Sequence, residues 1–189
     1  MPIALVVSGQ FKKRKKMRIG FDNINEHIVK IDDFQLKWRF TEEKYDLLPE
    51  LHLKELSPLD KTASKFLSDY ISNSTLFDNT PFKKDFFKTI DRIRILENNE
   101  KEIKKWLYKR GFPFNKQVYL SWDDETAMIV PWKLVIKYFD SFYYRGSDDL
   151  TIFDQSLNWA IVFFHYDDIY FGSNNNFTID ESEIDIEFI

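Results

Sequence analysis

The sequence predicts an α+β fold, a single domain in which an antiparallel sheet carries about three helices packed mainly on one face. Three observations carry this prediction. Apolar residues recur at helical spacing mainly in the middle of the chain, residues 56–111, whereas period-two alternation dominates from residue 117 onward. The chain has 189 residues, 43% of them hydrophobic and 17% aromatic, with only five glycines, so it can close one full, aromatic-rich core.

The chain divides into a basic N-terminal arm (1–20), a domain (21–172) and an acidic C-terminal segment (173–189). In the arm a short apolar run precedes Lys12-Lys13-Arg14-Lys15-Lys16, the reverse of the order in a secretory signal, so a cytoplasmic location is expected. Met17 follows that cluster and is an alternative start to Met1. In "DFQLKWRF" Leu36, Trp38 and Phe40 alternate with Lys37 and Arg39, which predicts a half-buried strand, paired across Asp32-Asp33 with "HIVKI" as a hairpin over 27–40.

Three helices follow. In "LSPLDKTASKFLSDYIS" Ser57 is placed to cap, Pro58 fits the first helical position, and Leu59, Ala63, Phe66, Leu67, Tyr70 and Ile71 form one stripe. "NTPFKKDFFKTIDRIRIL" repeats the pattern with Phe82, Phe86, Ile90 and Ile93. In "NNEKEIKKWLYKRG" Asn99 and Glu102 form a cap pair, Ile103, Trp106 and Leu107 form the stripe, and Gly111 with Pro113 ends the helix.

After Pro113 the period changes. "QVYLSW" and "TAMIV" are two strands around an Asp123-Asp124-Glu125 turn, and Pro131 opens "PWKLVIKYFDSF", read as a short helix rather than a further strand. "DDLTIFDQSLNWAIVFFHYDDIYFG" then reads strand, turn, strand, turn, strand, with Trp159–Phe164 apolar on both faces and therefore central. The tail alternates Ile184, Ile186 and Phe188 with Glu183, Asp185 and Glu187, which fits an edge strand of its own domain or a segment that adds to a partner's sheet.

Several chemistries are ruled out. There is no cysteine, so disulfides, thiolate zinc sites and cysteine nucleophiles are absent. The glycines are isolated, so no phosphate-cradling loop exists, and neither a G-x-S-x-G elbow nor an H-E-x-x-H helix is found. No cofactor and no catalytic residue are expected.

His165, Asp167 and Asp168 between aromatic runs suggest metal ligands or an acid–base pair, but the only other histidines, His27 and His52, lie far away in sequence, and aspartate is a common turn former. These residues are expected to form a hairpin turn. The pairs Asp123-Asp124, Asp148-Asp149 and Asp167-Asp168 all fall at strand ends. If those ends meet, they make an acidic surface for a basic protein partner, or oxygen ligands for Mg²⁺ or Ca²⁺. The Lys12–Lys16 run suits nucleic acid, yet it is one short arm without interleaved stacking aromatics on a chain of net charge −4.

Across residues 33–172 the order of these segments, above all "QVYLSWDDETAMIVPWKLVIKYFDSFYY", resembles small uncharacterised bacterial α+β proteins grouped as domains of unknown function. In size, acidity and lack of catalytic motifs the chain is also similar to immunity proteins of bacterial toxin systems. That resemblance implies a non-catalytic inhibitor of a toxin domain and transfers no individual residue roles. The rival expectations are a metal-assisted hydrolase using the acidic turns with His165, and nucleic-acid binding through the basic arm.

Overall fold

A computed structural model describes residues 18–45, 47–78 and 81–175. The Lys12–Lys16 arm and the alternating tail at 176–189 lie outside the described residues. In chain order the elements are α1 (Trp38–Thr41), α2 (Glu50–Leu53), β1 (Ser57–Pro58), α3 (Lys61–Asn73), β2 (Thr89–Arg94), α4 (Glu100–Tyr108), β3 (Gln117–Ser121), β4 (Ala127–Pro131), α5 (Trp132–Lys137), α6 (Phe139–Phe142), β5 (Leu150–Phe153), β6 (Trp159–Phe164) and β7 (Asp168–Ser173).

The strands form one seven-stranded open sheet in the order β1-β4-β3-β5-β6-β7-β2, with every pairing antiparallel. Strand β6 is interior, as its two-sided apolar sequence requires. Alternation sorts the side chains into two layers. Val118, Leu120, Met128, Val130, Ile152, Ile161 and Phe163 face the larger core with α4, α5 and α6, while Ile129, Phe153, Ala160 and Val162 face α3. The helices therefore lie mainly on one face, with the longest one on the other. Trp132, Trp159, Phe142, Phe153 and Phe163 are essentially inaccessible, each burial contributing about 1.5–3 kcal/mol.

Three sequence expectations are corrected. No hairpin forms over 27–40: residues 31–33 are a 3₁₀ turn, Trp38–Thr41 is a single helical turn, and Ile28 makes only an isolated bridge to Leu59. A strand would have pointed Arg39 outward, whereas the helical turn buries Arg39 together with Phe40.

The second predicted helix is not a helix. Asp85 takes a left-handed φ of 64°, and residues 89–94 pair with β7 as an edge strand. Its side chains satisfy period two instead: Ile93 packs on the core and Asp91 meets Arg110 at 3.0 Å, while Ile90 stays 52% exposed. Tertiary pairing with β7 outweighs the local helical spacing.

Two caps also differ. The α3 cap is Asp60, which accepts from the Ala63 N–H at 2.9 Å, while Ser57-Pro58 pair with β4. Asn99 holds the N-cap position of α4 as expected but makes no side-chain cap bond; its buried amide instead accepts from the Leu96 N–H and donates to the Arg94 carbonyl, fastening β2 to the helix.

Candidate functional site

The registers decide where the acidic pairs lie. Ser121 pairs with both Ala127 and Thr151, Leu150 pairs with Phe163, and Asp168 pairs with both Phe164 and Arg94. The β3–β4 turn, the start of β5 and the β6–β7 turn therefore occupy one end of the sheet, and Asp123, Asp124, Asp148, Asp149, Asp167 and Asp168 lie along it.

The fold treats these six carboxylates differently. Asp148 is deeply set, its side chain 11% exposed, and it accepts from both terminal nitrogens of buried Arg39 at 2.5 and 3.1 Å and from the Tyr144 N–H. Asp168 opens β7, is buried, and meets the Arg92 Nε at 3.1 Å. Asp167 receives Arg145 through Nε and a terminal nitrogen at 3.2 and 3.0 Å. Those hydrogen bonds and the guanidinium charge hold its carboxyl below the ordinary aspartate value.

The other three form no ion pair with a lysine or arginine among the described residues. Asp123 accepts the Glu125 N–H in the tight turn, and Asp124 beside it adds negative potential near Lys65. Asp149 accepts from the His165 N–H at 3.0 Å, and its oxygens lie 2.8 and 3.0 Å from the His165 Nδ1.

The histidine segment is a hairpin turn, but with a three-residue loop instead of a two-residue Asp167-Asp168 turn, and Asp168 already belongs to β7. His165, Tyr166 and Asp167 connect the strands, Asp167 N–H bonds to the Phe164 carbonyl, and Asp167 has φ 63°. This is the geometry of a three-residue hairpin loop closing on a left-handed residue, a place aspartate tolerates. His165 thus finds Asp149, just ahead of β5, rather than Asp167. His27 pairs with Asp60 and His52 lies 2.6 Å from the Tyr138 hydroxyl, so the three histidines serve three separate contacts. No group of three or more histidine or carboxylate side chains that could hold a metal ion occurs among the described residues.

A cavity of about 280 Å³ opens at this same end, between the sheet and α3. Asp123 and Asp149 line it with Ser121, Thr151, Trp122, Phe77 and Phe164. Neither lysine nor arginine contributes to the wall. The cavity was not legible in sequence, because its wall comes from five separated chain segments that only the strand order brings together. Of the aromatic set around residues 122–144, Trp132, Phe142 and Tyr143 are core, whereas Tyr144 is 49% exposed. No helix among the described residues is long and apolar enough to cross a membrane. Compared with protein-family models, with curated proteins and with solved structures, the chain matches none.

Proposed function

We propose that the protein is a non-catalytic binding module of the cytoplasm, an immunity-type inhibitor that neutralises a basic bacterial toxin domain through the acidic end of its sheet. The observation that carries this reading is the division among the six aspartates. Asp148, Asp167 and Asp168 are matched by arginines of the chain itself and brace the strand ends. Asp123, Asp124 and Asp149 are left without such a partner and border an open cavity or its rim. Like charges gathered without a lysine or arginine partner raise the local potential, which speeds encounter with a partner of opposite sign and selects against others.

The test is capture of partners from the host at low and high salt, followed by reconstitution of the purified pair. A stoichiometric complex is expected, with an association rate that falls steeply with salt and that drops further when Asp123, Asp124 and Asp149 are changed together to asparagine. An association rate equal at low and high salt, or turnover of the partner by this chain, would overturn the reading.

A further inference from the structure

We propose that the cavity beside α3 is a receptor for a guanidinium group, presented by an arginine side chain of the protein partner. The inference rests on the binding-module reading for the source of the arginine, and on the cavity's own chemistry for the group it accepts.

Ser121 on β3 and Thr151 on β5 stand directly opposite each other, so their side chains share the face that looks into the cavity. The two residues are only 5% and 7% exposed, no hydrogen bond joins either hydroxyl to another described residue, and both line the cavity. Their oxygens are not sealed off from solvent, and the exposure they keep opens on the cavity. Here they face open volume, and each offers two acceptor lone pairs.

The remaining wall narrows the choice of ligand. Asp123 and Asp149 place carboxylates on the cavity, so anions are repelled. Among the described residues no three-ligand cluster lies at the cavity to hold a metal ion. Phe77 and Phe164 supply aromatic surface, which suits a flat, weakly hydrated cation better than a compact ammonium. A guanidinium carries five donors and no acceptor, matching a wall of hydroxyl and carboxylate acceptors. The volume of about 280 Å³ falls just below the ~300–1,000 Å³ of small-molecule sites and suits a side chain.

The contrast along the same sheet end is instructive. To Asp148, Asp167 and Asp168 the chain brings its own arginine, and at the cavity it brings none.

The experiment is an amide NMR titration of the full chain with N-acetyl-arginine amide. N-acetyl-citrulline amide serves as the uncharged control of the same shape, and N-acetyl-lysine amide as the compact cation. Saturable shifts are expected at the Ser121, Trp122 and Thr151 amides, with the arginine probe binding at least about tenfold more tightly than either control. Thr151→Val, which keeps side-chain shape, and Asp149→Asn should each weaken it by about tenfold while the rest of the spectrum is retained.

Equal binding of citrulline, absence of saturable shifts, or indifference to Thr151→Val would overturn the proposal. Free arginine binding more tightly than the capped residue would overturn its assignment to a chain-borne side chain. The two readings fail separately: a captured partner unaffected by Thr151→Val removes the receptor and keeps the module, whereas a chain that binds the probe but captures nothing removes the module.

Discussion

Thr151 and Asp148 sit within a few residues of each other and show two ways in which a buried polar group is handled. Asp148 has its desolvation offset by a bidentate arginine and a backbone N–H, so removing one partner leaves a stranded charge. The Thr151 hydroxyl makes no hydrogen bond to another described residue and opens on the cavity, so Thr151→Val is expected to leave stability unchanged or raise it by up to about 1 kcal/mol, measured by urea unfolding. Titration supplies two further tests at this scale. Burial, with the Asp167 charge beside it, pushes the Tyr143 phenol up to about 12, and the neutral form donates to the Phe164 carbonyl at 2.8 Å. Because the folded value is raised, this contribution is complete below the unfolded value of about 10 and is lost as pH rises through about 12. Tyr143→Phe should flatten the fall in unfolding free energy over that window. Asp154 is the opposite case. Burial alone would raise its carboxyl, but hydrogen bonds from Ser156, Lys116 and Trp159 outweigh burial and lower it. Its contribution is present above the unfolded value of about 4 and is lost as pH falls through the lower folded value, so Asp154→Asn should flatten the acid limb of stability below pH about 4.

At the scale of elements, the sheet edges carry the less obvious choices. β1 is a two-residue strand ending in Pro58, which has no N–H to extend the ladder, and β2 carries Asp91, Arg92 and Arg94 along its exposed edge. Short or charged edges discourage pairing with other chains. β2 is held to β7 by more than its ladder, because Gly172 lies opposite Ile90 and leaves room for the Phe87 ring. A Cβ at Gly172 would sit 2.0 Å from that ring. Gly172→Ala should therefore cost about 1–3 kcal/mol, and less when Phe87 is already leucine, because the two changes share one contact. Equal losses in both backgrounds, read from chemical unfolding, would show that the contact does not set the packing of this edge.

For the whole molecule, the strand order converts three scattered acidic pairs into one surface, whose charge predicts the salt-sensitive association described above. The same arrangement separates the histidines, so the thermal unfolding temperature should be indifferent to millimolar Mg²⁺, Mn²⁺ or Zn²⁺. A ligand that binds only the native state would raise that temperature, and a clear rise would favour metal-assisted chemistry instead.

What the sequence determined by itself is the part of the fold where one local signal is strong and uncontested: α3 and α4 from their stripes, β3 to β7 from alternation and turn residues, and the interior place of β6 from its two apolar faces. Where two local patterns competed, tertiary structure decided. Residues 89–94 carry helical spacing but become a strand because β7 would otherwise present an open edge, and residues 38–41 become a helical turn because that buries Arg39 against Asp148, more than a hundred residues away. The acidic residues could be named from sequence, yet which of them are structural and which face outward depended on arginines supplied from distant segments. The cavity with its two unpartnered hydroxyls depended wholly on the register of β3 against β5, since side-chain identity is local while juxtaposition across a sheet is set by long-range pairing.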